Sequence, residues 1–205
     1  MPTPARPLQN RVSPFGEILA RPERGGLMGN RGGRIHDPQA KRLLRRRWAS
    51  RAWISCVLSF KGRWREVMGP GYTHLFFLDE ATACAAGHRP CFECRRADAR
   101  AFAEAWAEGH GLAAPPRAGA MDAVLHPQRL APPERVAAAE LRPGMLFAEG
   151  DRVCLMREAD ALPWRWSGYG APVRRPSGEV AALTPAGIRR AIAAGWRPGL
   201  HASAT

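Results

Sequence analysis

Cys91 and Cys94, separated by two residues, carry the clearest chemistry in this 205-residue sequence. Two thiols on one tight loop can face a single metal ion and supply half of a tetrahedral zinc site. The residues before them have the signals needed to hold that loop. Phe76 to Arg96 reads FFLDEATACAAGHRPCFECRR. Asp79 is a good helix N-cap, and Glu80 falls in the first turn, where the helix dipole favours a negative charge. Glu80 to Ala86 is predicted to make two helical turns, and Gly87 supplies a left-handed stop. His88, Arg89 and Pro90 then form a short rigid lead-in to Cys91. The five cysteines are an odd number and do not space out as a disulfide framework, so reduced thiols and a cytoplasmic location are expected. No apolar run reaches 18 residues, so no membrane span and no membrane partner are expected, and the N-terminus lacks the apolar core of a secretory leader.

The same two dozen residues resemble the end of the N-terminal zinc domain of the Ada family, which repairs methyl phosphotriesters in DNA. In that domain a Phe-rich strand runs into a short Ala-rich helix, a Gly, an aromatic residue and Arg-Pro-Cys-x-x-Cys-Arg. Here Phe76-Phe77, Ala81-Thr82-Ala83, Ala86-Gly87 and Arg89-Pro90-Cys91-x-x-Cys94-Arg95 match, with His88 at the aromatic position. The whole chain also resembles bacterial proteins without an assigned function that carry a similar GHRPC-x-x-CRR core. The Ada resemblance implies a bound Zn2+ and a strand cysteine as third ligand, which is Cys56 here. It also implies that Cys56 is a methyl acceptor, since a zinc-bound thiolate is a suitable nucleophile. The chain departs from the family at Phe60, where Ada has its second strand cysteine. A fourth ligand must come from elsewhere: His88 is nearest in sequence, although three ligands within seven residues is cramped, and His36 and His74 are alternatives. Cys84 reads as a packed helix thiol and Cys154 as part of a distal sheet. Zinc nucleoside deaminases also carry Pro-Cys-x-x-Cys, but they need a His- or Cys-x-Glu upstream. No such triplet precedes Pro90.

Charge points to a partner. The formal net charge is +13, and the only lysines are Lys41 and Lys61. Residues 1–70 hold fifteen basic and four acidic residues, against sixteen and fourteen in 71–205. A polyanion is the natural partner of such an excess. Arg31 and Arg34 sit in a Gly-rich stretch that lets backbone amides approach an anion, although no Gly-Lys-Ser/Thr follows to make a Walker loop. Arg42, Arg45, Arg46 and Arg47 fall in PQAKRLLRRRWASRAW (residues 38–53), predicted as a basic amphipathic helix. With Arg95 and Arg96 these form the expected phosphate-contacting set, on DNA ahead of RNA.

The elements then follow. Residues 1–52 are expected to form a basic arm, irregular apart from that helix. Residues 53–111 are expected to form the zinc module, with strands at 53–60, 63–68 and 72–78 and a helix after Cys94 that stacks Phe102 and Trp106 on one face. A linker over 112–120 leads to a C-terminal region, 121–205, separate or compact with the module. That region opens with a short mixed stretch, in which Pro127 interrupts the spacing of Asp122, His126 and Arg129, and a short helix over 132–139. A Gly150-Asp151 hairpin, further strands to Leu183 and a terminal helix from Ala186 to Ala194 close it. Trp164, Trp166 and Tyr169 alternate as a packed sheet face does, with base stacking as the alternative. The expected class is α+β: a small zinc-stabilised, Ada-like antiparallel sheet with helices, then a C-terminal antiparallel region. The leading functional expectation is a zinc-containing nucleic-acid-binding protein. The alternative is an enzyme on nucleic acid, either through Cys56 methyl acceptance or as a hydrolase or nuclease.

Overall fold

A computed structural model of the chain describes residues 7–205, so the first six residues of the expected basic arm lie outside the described residues. The class is mixed α+β. Along the chain run β1 (Gln9–Val12), β2 (Ile18–Ala20), β3 (Leu27–Arg31), β4 (His36–Asp37), β5 (Arg42–Leu43), β6 (Trp53–Cys56) and β7 (Leu75–Phe77). Helix α1 (Glu80–Ala85) and β8 (Arg89–Pro90) follow, then α2 (Arg96–Gly109) and α3 (Ala118–Gln128). The C-terminal part holds β9 (Glu134–Ala137), β10 (Leu146–Glu149), β11 (Arg152–Met156), β12 (Ala161–Arg165), β13 (Gly168–Tyr169), β14 (Glu179–Ala182) and α4 (Ala186–Ala193). None of the described helices is long and apolar enough to cross a membrane.

Two six-stranded sheets dominate, ordered β2-β1-β7-β3-β6-β8 and β13-β12-β11-β10-β14-β9. The first draws strands from both sides of residue 52. The stretch read as an arm therefore supplies β1, β2 and β3, and β3 lies in the middle, antiparallel to both β6 and β7. The Gly-rich sequence that suggested a loose arm serves close packing instead. A Cβ on Gly29 would stand 2.1 Å from the Ile54 carbonyl oxygen, so only glycine lets β3 approach β6 this closely.

Three other expectations are corrected. Residues 38–53 are not a helix. They form the turn after β4, then β5, an irregular, exposed run and, at Trp53, the buried start of β6. The Asp37 carboxylate accepts from the Gln39 and Ala40 amides at 2.8 and 3.1 Å, and Lys41 takes a left-handed φ of 50°, so a local turn outcompetes a helix burdened with six like charges. Residues 63–68 are irregular rather than a strand, with positive φ at Lys61 and Met68. The helix expected over 132–139 is β9 and a short 3-10 turn, whereas the stretch read as mixed is α3. Pro127 lies in its last turn, where it removes a single hydrogen bond.

Helix α1 is the hub, and the Asp79 cap and Gly87 stop hold: Asp79 Oδ1 accepts from the Thr82 amide at 2.9 Å and Gly87 has φ 77°. All six α1 residues are buried. Ala83, with Ala86 just beyond the helix, packs on Val12, Ile35, Leu75 and Phe77 of the first core. Ala81 and Ala85 pack on Leu146, Leu155 and Leu162 of the second sheet. Cys84 joins Phe102, Trp106 and Leu125 in the helical core. Small side chains on every face let one two-turn helix touch three clusters. The Asp79 cap also binds the C-terminal sheet, accepting from the Tyr169 hydroxyl at 2.8 Å and the His201 amide at 3.0 Å. With the Trp164 indole donating to the Thr82 hydroxyl at 3.0 Å, these aromatics are packing residues.

Candidate metal centre

Strand β6 ends at Cys56, and β8 runs parallel to it with Ser55 opposite Pro90. That register puts the next residues, Cys56 and Cys91, side by side. The Cys91 amide donates to the Ser55 carbonyl at 3.0 Å, fixing the pair. The chain then turns through Phe92 and Glu93 to Cys94, and the Arg95 amide closes the knuckle on the Cys91 carbonyl at 3.0 Å. The outcome is a three-sulfur cluster in which the Sγ atoms of Cys56, Cys91 and Cys94 lie within 4.8 Å of one another. Cys56 and Cys91 are buried, and Cys94 is half-buried. Three cysteines so placed can hold a metal ion.

The sulfurs divide one charge among them. The hydrogen bond from the Cys56 thiol, helped by the Cys94 and Glu93 amides, pulls the Cys91 thiol down to about 5. Donating that bond, together with burial, pushes Cys56 far up. Burial raises Cys94, with the Cys91 charge adding to it. The negative charge is thus favoured on Cys91, and a bound cation would displace the remaining protons.

His88 is not part of this cluster. It is fully buried, its ring packed on Trp53 at 5.1 Å and Phe77 at 4.7 Å, and its Nε2 faces the Arg31 Nε at 3.5 Å. An aromatic position in a closed core suits packing, and it points a ligand atom away from the sulfurs. His36 uses both nitrogens, on the Thr73 hydroxyl at 2.5 Å and the Gly69 carbonyl at 2.9 Å. Burial, then the charges of Arg31 and Arg129, holds His88 neutral well below the usual histidine range. The unfolded chain therefore takes up a proton below about pH 6.5 that the folded chain refuses. Stability at this residue is full above that pH and is expected to fall by about 1.4 kcal/mol per unit below it. Denaturant midpoints between pH 7 and 5.5, with chelator present, should drop more steeply for the wild type than for His88→Phe. Equal slopes would contradict the assignment.

The expected phosphate set splits in two. Arg34, Arg42, Arg45, Arg46, Arg47 and Arg96 are exposed. Arg31 and Arg95 are interior. The Arg31 guanidinium lies 4.0 Å over the Trp53 ring and donates to the Gly16 carbonyl at 2.7 Å; burial and the Arg129 charge bring it down to about 9. The Arg95 side chain pairs with Glu80 and Asp98 and donates to the Ser55 hydroxyl at 3.2 Å, bracing the knuckle from behind. Neither is free for a phosphate.

Sequence reasoning missed the surroundings of the cluster. The sulfurs form the floor of a pocket of about 460 Å³ whose walls include Phe60, Arg63, Trp64, Arg65, Tyr72 and His74. Trp64 is 83% exposed, the most open of the large apolar side chains described. Burial, then the nearby Cys56 sulfur, raises the Tyr72 phenol. The signal was present in Phe60-Lys-Gly-Arg-Trp-Arg65, a tryptophan between two arginines beside a glycine turn, but reading it as a return strand hid it. Arg34 donates to the Pro70 carbonyl at 3.0 Å and Lys41 pairs with Glu66. These contacts lay the arginine run against the loop that walls the pocket. Arg89 of the lead-in is held by Asp122 of α3, a partner no local motif indicates. No protein-family model, curated protein or solved structure matches the chain.

Proposed function

We propose that this protein binds nucleic acid, around a zinc ion held by Cys56, Cys91 and Cys94. The observation that carries the reading is Trp64, 83% exposed between Arg63 and Arg65 at the wall of the cysteine pocket. A large apolar ring left in water, with Arg63 and Arg65 as its neighbours in the chain, suits a stacked base whose phosphates meet those arginines. The charge around it agrees: residues 34–72 hold ten basic and two acidic residues. Thiolate ligands favour zinc over magnesium or calcium. The resemblance to the Ada zinc domain supports DNA ahead of RNA.

The test is binding of a single-stranded oligonucleotide at several salt concentrations. Trp64→Ala should weaken binding by about 1–3 kcal/mol, roughly ten- to a hundredfold, with an unchanged melting temperature because the ring has little to lose on the folded side. Replacing Arg45, Arg46 and Arg47 together by alanine should weaken binding and flatten its salt dependence by about two log units per log unit of salt. Salt-independent binding, or a Trp64→Ala protein that binds as the wild type does, would reject the reading.

A second reading, methyl acceptance at Cys56, is favoured by the place of Cys56 at the pocket floor. One added methyl mass on the Cys56 peptide after incubation with methylated DNA would decide for acceptance.

A further inference from the structure

Zinc in a protein is four-coordinate, and a site with three protein ligands keeps its fourth position for water or a bound molecule. Among the described residues the three sulfurs are joined by no fourth His, Cys, Asp or Glu. Cys84, in α1, and Cys154, in β11, are enclosed in the helical core. His36 is saturated and His88 faces Trp53, Phe77 and Arg31. His74 lines the same pocket with its ring 4.7 Å from that of Tyr72, yet lies outside the sulfur cluster. Glu93 lies between the two knuckle cysteines, but its carboxylate is turned outward to Arg63 and is 63% exposed. The open side of the cluster is therefore the pocket itself.

We infer that the fourth position of the metal is reserved for a ligand entering through this pocket, and that the ligand is one unpaired nucleotide of a single strand. The inference rests on the nucleic-acid reading and narrows it to a substrate class. The pocket, at about 460 Å³, is in the range of small-molecule sites. Its inner walls are apolar, from Met28, Ile54 and Phe76, and its aromatic walls are Phe60 and Tyr72. Its cationic groups are Arg63 and Arg65, and Arg63 is free to exchange Glu93 for a stronger anion because that ion pair is exposed. Such a cavity asks for a flat, mostly apolar body with a neutral nitrogen or oxygen donor at its far end and an anion at its near end. A nucleotide meets all three demands. The base would enter among the aromatic walls with a ring nitrogen or carbonyl oxygen toward the metal, and the phosphate would meet Arg63 and Arg65, which lie 5.5 Å over the Phe60 and Tyr72 rings and favour bidentate contact. Trp64 then stacks the neighbouring base outside. A paired base cannot reach the floor without leaving the stack, so the strand must be unpaired at that point.

Cobalt(II) in place of zinc makes the fourth position visible, since its d–d absorption follows coordination number and donor type. The full-length cobalt protein is titrated with a short mixed-sequence strand, with a strand of the same length made of abasic sites, and with inorganic phosphate. Tryptophan emission, with Trp64→Ala as the control that separates this exposed ring from the other six tryptophans, reports binding independently. The mixed strand is expected to shift the d–d bands and quench the tryptophan emission, whereas the abasic strand, which offers no base to the metal or to Trp64, and phosphate do neither. Arg63→Ala with Arg65→Ala should raise the strand concentration needed for the shift by about tenfold or more and leave the spectrum of the unliganded cobalt protein unchanged. Quenching by the mixed strand with static bands would overturn the inference and leave the nucleic-acid reading standing. Bands shifted by phosphate alone would overturn it in favour of a simple anion site. No binding of any strand would remove both, and failure of the chain to take up cobalt would remove the metal from each.

Discussion

Cys91→Ser is expected to leave the purified chain without its metal and to lower the melting temperature by about 8–16 °C. Cys91 is the residue on which the cluster turns. It takes the hydrogen bond from Cys56, and its Sγ accepts from the Glu93 amide at 3.4 Å. A serine hydroxyl keeps the backbone contacts but neither ionises near neutral pH nor suits a soft metal. The size of the effect follows from linkage. A metal present at a thousand times its dissociation constant stabilises the folded state by about 4 kcal/mol, and each kcal/mol moves the midpoint of a domain this size by about 2–4 °C. The sheet around the site is held by its own hydrogen bonds, so the metal-free protein should remain folded. Chelator-treated wild type should melt with Cys91→Ser, and added zinc should rescue only the wild type. Metal retention should also weaken on acidification, as protons compete for the sulfurs. Equal metal content and equal melting temperature in the two proteins would rule the centre out.

Asp122→Ala is the second large effect, about 3–5 kcal/mol of lost stability. Arg89 grips this carboxylate with two bonds, Nε to Oδ1 at 3.1 Å and Nη2 to Oδ2 at 2.7 Å. Arg129 approaches the same carboxylate at 3.8 Å and donates to the Asp122 carbonyl at 3.3 Å. The side chains of Arg89 and Asp122 are 6% exposed and that of Arg129 is 1% exposed. Removing the acid leaves two buried guanidinium groups, which shared a single buried carboxylate, with no countercharge. Burial already brings Arg129 down to about 10. The damage should spread to the metal, because Arg89 lies in β8 and β8 delivers Cys91. A lower denaturant midpoint together with weaker metal binding is therefore expected. Asp98→Ala is the contrast: it also meets an arginine, Arg95, but its side chain is 53% exposed, so its loss should cost under about 1 kcal/mol. Similar midpoints for the two variants would show that the buried network carries no special weight.

The contrast between these acids shows where sequence reading stops. Asp122 and Asp98 are both acids in helices, and nothing within a few residues of either says which one is enclosed. Arg31 and Arg34 pose the same problem. They stand three residues apart in one Gly-rich stretch, yet one is stacked on Trp53 in the core and the other is exposed.

What the sequence determined by itself is local. Asp79 and Gly87 delimit α1, the Phe102–Trp106 face marks α2, and Gly150 turns the β10–β11 hairpin. Each of these signals acts through bonds and contacts within about one turn, so the residues that decide the structure are neighbours in the chain. The spacing of Cys91 and Cys94 belongs to the same class. Only the tertiary structure decided the rest. The parallel register of β6 with β8 brings Cys56 to the knuckle, β3 is inserted between β6 and β7, and the 38–53 run gives up its helix for a turn against the pocket loop. Those choices depend on which apolar faces can be buried together across tens of residues, and α1 settles them by packing on three clusters at once. A cap or a turn is decided by a few atoms, whereas a strand register is decided by the sum of many weak contacts that no short window of sequence contains.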